Sequence, residues 1–492
     1  MKRVFSHPLT ALVTGLLLRL FFVFEYPSTA GDTSLYESLA TNWLKSHVYG
    51  IAIDGKLTPL DLRMPGYPAY LALMQAISRR SADDARLWVM LGQVLLDLGT
   101  CLVIAGIAAR CSGRNENSSR VFIAALWLAA LCPFTANYTA VPLTETLAIL
   151  TTALVLMYLI PLANPEQGLG DLWQWGKLPE GVVNKFHLQT LTRTTFMKNA
   201  AFAGVCAGLG TLLRPETPLT LVSCLPVVLW VTWRRSQISK GIRAAALSIA
   251  TCLLMLVPWT IRNTVTFDEF QPLAPRYTTM PGEWAPLGFM SWEKTWLYRF
   301  REVFAVSWKM NSDEIQIDDL PARAFDSPEE RQHVAAILEQ YNQDSNLTHE
   351  EDQQFAEIAR ERTARHPART YLTVPLQRVL TLWFTPRIEQ LPFSASVFPL
   401  AQMWATEQPD FSITLGFFFV NIFYVALALW GALRILRRAP EARAAVVLLA
   451  CFVLIRTAFL TTIETPEPRY VLVCYPAVIA LAAHVFSRRK PA

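Results

Sequence analysis

Charge is what this sequence is short of. Of its 492 residues, 17% are Asp, Glu, Lys or Arg and 52% are hydrophobic, with a mean hydropathy of +0.28. A soluble protein of this length carries about 25% charged residues, so the composition excludes an ordinary soluble enzyme and points to a polytopic membrane protein. The net charge of +5 does not form one basic patch. Lys and Arg fall in short clusters between apolar runs, a distribution that reports topology and speaks against nucleic acid as a partner. There is no CxxC pair, and no His spacing that suits zinc. The eight cysteines (Cys101, Cys111, Cys132, Cys206, Cys224, Cys252, Cys451, Cys474) lie in apolar runs or at their ends and read as small packing groups. A Gly-rich phosphate loop is also missing, which disfavours a nucleotide substrate.

What is there in quantity is apolar sequence. Stretches long enough to span a membrane fall at about 9–26, 85–110, 119–136, 143–162, 198–213, 217–233, 242–262, 411–436, 443–462 and 470–487. The first imitates a secretory signal, with Lys2 and Arg3 before it and Ser28-Thr29-Ala30 after it. Its length and Arg19 within it predict an uncleaved helix instead. Lys2 and Arg3, then Arg110, Arg114 and Arg120, then Arg234, Arg235, Lys240 and Arg243, then Arg434, Arg437, Arg438 and Arg443, and finally Arg488, Arg489 and Lys490 occupy alternate connections. The positive-inside rule places all of these in the cytoplasm, and the segment opened by Asp32 outside.

The outer segments carry the amphipathic sequence. Ser34-Leu35-Tyr36-Glu37 fits a capping box and is followed by apolar residues at helical spacing, which predicts a helix lying on the membrane surface. A second apolar piece over 66–78 follows Pro65 and is too short to span. The polar stretch 164–199 reads as a cytoplasmic loop. Residues 264–409 read as an outer insertion, with a charged helical pair over 327–366 and an interfacial helix over 371–384. The expected organisation is thus an N-terminal transmembrane module (1–263), the insertion (264–409) and C-terminal transmembrane helices (410–492).

Few residues in the outer connections could carry chemistry. Asp32, at the junction of a spanning and a surface helix, could accept the proton of an attacking hydroxyl or amine, or could merely cap the helix that follows. Arg63, Arg214, Arg262 and Arg469 sit at outer ends of membrane segments, where topology disfavours arginine; a phosphate held in a bidentate fork supplies a reason, and so do lipid phosphates or carboxylates such as Glu216 and Glu467. Glu145 opens a membrane helix, where an acid suits the helix dipole or a sugar-binding role.

In this order, Leu18-Arg19-Leu20, Gly31-Asp32-Thr33-Ser34-Leu35-Tyr36, Arg63-Met64-Pro65-Gly66-Tyr67-Pro68, Leu143-Thr144-Glu145, Leu213-Arg214-Pro215-Glu216, Pro258-Trp259-Thr260-Ile261-Arg262-Asn263 and Glu467-Pro468-Arg469-Tyr470 resemble the bacterial branch of the protein O-mannosyltransferase and aminoarabinose (lipid A) transferase superfamily. The resemblance implies an all-α GT-C fold with about 10–13 transmembrane or re-entrant helices. It implies inverting transfer of a sugar from a polyprenyl-phosphate donor to a lipid, glycan or protein acceptor at the outer face of the cytoplasmic membrane. Asp32 would be the catalytic base, and Arg63, Arg214, Arg262 and Arg469 would bind the donor phosphate. Tyr36, Glu145, Glu216, Glu467 and Tyr470 would line the sugar and acceptor sites. Thr33 stands where many relatives have a second acid, and the large soluble domain of some members is replaced by the insertion. No Asp-x-Asp pair is present, and neither metal nor cofactor is expected. The competing readings are a transporter or flippase of a lipid-linked sugar, and a non-catalytic assembly factor.

Overall fold

The structure, a computed structural model, describes residues 7–112, 117–164, 188–277, 279–280, 282–406 and 408–487. α1 (Pro8–Glu25) leads into α2 (Gly31–Ser46), a hairpin of β1 (Gly50–Ile53) and β2 (Lys56–Pro59), and α3 (Gly66–Ser78). There follow α4 (Ala82–Arg110), α5 (Asn117–Ala130), the short α6 (Pro133–Ala136), α7 (Glu145–Ala163), α8 (Leu188–Thr211), α9 (Leu219–Arg234) and α10 (Ile238–Phe267). The insertion holds α11 (Leu287–Lys294), a single turn α12 (Phe300–Glu302), α13 (Pro328–Tyr341), α14 (His349–Arg365), α15 (Val374–Phe384) and α16 (Leu400–Thr406). The chain closes with α17 (Asp410–Arg438), α18 (Arg443–Leu460) and α19 (Tyr475–Ala482).

All ten apolar stretches are helical. Among the described residues, seven helices are long and apolar enough to cross a membrane, or eight if a bent pair counts as one span. The pair is 118–130 with 133–140, bent by 51°. Pro133 explains the break, because it donates no backbone hydrogen bond and opens a new helical turn. α9 is apolar but shorter. The fold is therefore an all-α, multi-pass membrane bundle. One small exception escaped the apolar pattern: the antiparallel β1–β2 hairpin, whose turn residues Asp54 and Gly55 both have positive φ, as an Asp-Gly turn requires.

A charge inside the first span can pair with another helix or reach for a surface, and Arg19 does the first. It lies fully buried against α4, 2.5 Å from Asp97, and also donates to the carbonyls of Gly15 and Ala130. A charge at this depth needs such partners, so the pair clamps α1 to α4 and α5. The helix expected to start at Ser34 starts three residues earlier, and the expected capping box does not form. The Thr33 hydroxyl accepts from the Ala30 N–H instead, while Glu37 forms a two-pronged pair with Arg86 of α4.

The insertion has its own core, in which Phe289, Trp292, Trp296, Val334, Ile337 and Phe355 are buried. The helical pair over 327–366 appears as α13 and α14, and the interfacial helix as α15 with a wide turn before it. Arg378 of α15 ties this core to the bundle, donating to the carbonyls of Leu297 and Thr461. Lys294 and Glu464 add an ion pair at 2.5 Å. Residues 165–187, most of the stretch read as a cytoplasmic loop, lie outside the described residues, as do Lys2, Arg3, Arg114, Arg488, Arg489 and Lys490 of the basic clusters.

Candidate active site

α2 begins immediately after the first membrane helix, and Asp32 falls in its first turn, where helix-dipole charge favours an acid. Its carboxylate does not cap the helix. It accepts from Arg63 at 2.7 Å, and both side chains are partly open, at 34% and 22% exposure. Arg63 is brought there by the hairpin and by Gly66, whose N–H donates to the Leu212 carbonyl at 2.7 Å. A Cβ at Gly66 would lie 2.6 Å from that oxygen, so only glycine permits the approach. Burial opposes the Arg63 charge, but the Asp32 carboxylate more than offsets it and holds the guanidinium's pKa above its ordinary value.

Leu212 lies just past the end of α8, and Arg214 stands two residues further on. Arg214 pairs with Glu145 at 3.3 Å and with Glu216 at 3.1 Å; Arg469 approaches the same Glu145 oxygen at 3.6 Å and Glu467 at 2.6 Å. Arg456, which drew no notice in the sequence, holds Glu216 from the other side at 3.0 Å. Burial would raise the Glu216 carboxyl, but Arg214 and Arg456 overcome it and hold its pKa at about 2. Tyr470 donates to Glu467, and both Arg214 and Arg469 lie over its ring. Glu145 is almost wholly buried, and its Oε2 has no hydrogen-bond partner among the described residues. An orphaned buried carboxylate oxygen is costly, and a hydroxyl or amine of a bound molecule would satisfy it.

Tyr36 links the two groups. It packs edge-on against Tyr67 with ring centres 5.3 Å apart, and burial, then Asp32, pushes its phenol up to about 12. Arg63, Arg214 and Glu145 act on it too. Nine of the ten expected residues therefore gather at one end of the bundle. Arg262 lies behind them, on the far side of Tyr49, whose hydroxyl donates to the Arg63 carbonyl. Its guanidinium donates to the carbonyls of Tyr49 and Leu60 and lies over Tyr49, Trp259 and Phe267, so it pins the hairpin rather than standing free for an anion.

Besides Arg456, the structure adds a second residue that sequence reasoning missed. Glu389, in the loop after α15, accepts from the Tyr138 hydroxyl at 2.7 Å. Burial pushes its carboxyl up from the ordinary range. The next residue, Gln390, accepts from Ser28 Oγ, four positions before Asp32, and Asn137 donates to the Arg387 carbonyl. An isolated acid in a polar loop carries no periodic signal, so only the fold brings it to this end.

No family model matches the chain, and no curated protein matches it as a relative. Among solved structures, the chain is similar to the archaeal oligosaccharyltransferase AglB from Archaeoglobus fulgidus in complex with an inhibitory peptide and a dolichol-phosphate, at 12% identity and a TM-score of 0.47 over 96% of this chain and 50% of that one. The complex of the A. fulgidus enzyme with Zn and sulfate gives 14%, 0.47, 96% and 48%. ArnT from Cupriavidus metallidurans bound to undecaprenyl phosphate gives 12%, 0.38, 97% and 77%. The chain spans about half the length of the archaeal enzyme. Scores this low leave the chemistry to be argued from the site itself.

Proposed function

We propose that this protein is an integral membrane glycosyltransferase of the GT-C kind, moving a sugar from a polyprenyl-phosphate donor to an acceptor at the outer face of the bacterial cytoplasmic membrane, with inversion. The observation that carries the reading is the half-open Asp32–Arg63 pair beside the buried Glu145–Arg214–Arg469 cluster. It offers a base, cations and an unsatisfied acid at one membrane-proximal end. The alternating basic clusters support the outer orientation.

The chemistry needs little else. A donor phosphate draws Arg63 into a bidentate contact, which releases the Asp32 carboxylate from its neutralising partner. Asp32 takes the proton of the acceptor hydroxyl or amine while that atom forms its bond to the anomeric carbon. The bond from that carbon to the phosphate oxygen breaks, and its electron pair leaves with the polyprenyl phosphate. Arg63, with Arg214 and Arg469 behind it, stabilises the charge that develops there. Glu145 Oε2 is offered to a sugar hydroxyl. Glu216, Glu467 and Tyr470 keep the arginines in position, and Arg262 does the same for the loop that carries Arg63.

The test is transfer of radiolabelled sugar from polyprenyl-phosphate donors in membranes holding wild type, Asp32→Asn or Arg63→Ala. Asp32→Asn should lower the rate about 10²–10⁴-fold with the protein still inserted, and Arg63→Ala about 10²–10³-fold. Equal transfer by wild type and Asp32→Asn would remove Asp32 from the mechanism.

A further inference from the structure

Beside the ionic cluster, on the side of the insertion, lies a cavity of about 370 Å³. That is within the range of small-molecule sites. Its walls come from three places: Phe300, Arg301 and the exposed Phe304 at the edge of the insertion core, Glu389 and residues 393–396 of the loop after α15, and Met403 of α16. The aromatic wall is built rather than fortuitous, since Phe300 and Phe304 lie 4.9 Å apart edge to face and Phe393 packs against Tyr26 at 6.2 Å. Glu389 spends one oxygen on Tyr138, while Oε2 has no hydrogen-bond partner among the described residues. Ser28 and Asn137 fasten this loop to the two segments that carry Asp32 and Glu145.

Resting on the transferase reading above, we propose that this cavity is the acceptor subsite and that the acceptor group it takes is a carbohydrate. Ring faces pack against the apolar C–H side of a sugar, and a carboxylate and two serine hydroxyls answer its alcohols. A purely lipidic occupant would leave Glu389 Oε2 unsatisfied.

The experiment separates the subsite from the transferase reading. Full-length protein in lipid nanodiscs is examined by saturation-transfer NMR with methyl glycosides of glucose, galactose, mannose and N-acetylglucosamine and with the N-acetylglucosamine disaccharide. At least one should give a signal in wild type that falls at least tenfold in Glu389→Gln and in Ser396→Phe, which fills the cavity from its rim. The signal should persist in Asp32→Asn and under excess undecaprenyl phosphate. In the transfer assay, Glu389→Gln should raise the acceptor KM at least tenfold and leave the donor KM within twofold. No signal from any glycoside, a signal unaffected by both cavity variants, or displacement by undecaprenyl phosphate would overturn the proposal. Cavity-dependent glycoside binding with no transfer from any donor would keep a carbohydrate site here and overturn its role as acceptor subsite together with the transferase reading.

Discussion

Glu293 is an acid placed where acids rarely sit. It is buried in the insertion core with the Ser307 hydroxyl donating to it, and burial, despite that hydrogen bond, pushes its carboxyl up to about 8. Glu464 adds to the upward shift, and Arg378 opposes it. An unfolded glutamate loses its proton near pH 4.3, so between about 4.3 and 8 the folded form holds a proton that the unfolded form has lost. Stability of the insertion therefore falls as pH rises through this window. Thermal unfolding followed by tryptophan fluorescence, with Trp292 and Trp296 in the same core, should give a lower Tm at pH 8.5 than at pH 5.5. Glu293→Gln should flatten that dependence. Nothing in the sequence marked Glu293, because its neighbours Lys294 and Glu464 come together only across the junction of insertion and bundle. Arg63 and Asp32 were legible for the opposite reason: both flank one short outer segment.

Among the elements, α1 and α4 depend on a single ion pair in an otherwise apolar seam. Arg19→Leu leaves Asp97 buried without its cation, and should lower stability in detergent by about 3–5 kcal/mol. The double variant Arg19→Leu/Asp97→Leu should recover most of that loss, which a thermal melt of the purified protein would measure. Helix positions were readable from hydropathy because each span must bury a continuous apolar run whatever its neighbours. The break at Pro133 and the β1–β2 hairpin were passed over: four residues is the lower limit at which alternation shows, Gly50–Ile53 does not alternate, and Asp54-Gly55 was the one signal for the turn. The start of α2 was misread for a local reason. Thr33, not Ser34, meets the free N–H before the helix, and Glu37 is taken by Arg86.

For the whole molecule, close approach of the spans is bought with small residues. A Cβ at Gly431 of α17 would lie 1.9 Å from the Leu481 carbonyl of α19, and one at Gly204 of α8 would lie 2.1 Å from the Ser248 carbonyl of α10. Membrane helices pack through such contacts, because lipid offers no hydrophobic drive between them. Gly431→Ala should cost about 1–3 kcal/mol, read as an earlier melt, without reducing sugar transfer at temperatures where the protein stays folded. The gathering of Glu145, Arg214, Arg456 and Arg469 belongs to this scale, and no linear pattern encodes it.

The Gly66–Leu212 hydrogen bond also sets a tolerance in chain length. Arg63 stands three residues before an anchor that cannot slide, so the segment between them works as a ruler from one helix end to the Asp32 carboxylate. One residue inserted there lengthens it by up to about 3.3–3.6 Å, more than the whole 2.7 Å separation of the ion pair. Insertions between Arg63 and Gly66 should therefore abolish transfer in a correctly folded bundle, whereas a residue added at the Asp54-Gly55 turn, beyond the anchored stretch, should be absorbed.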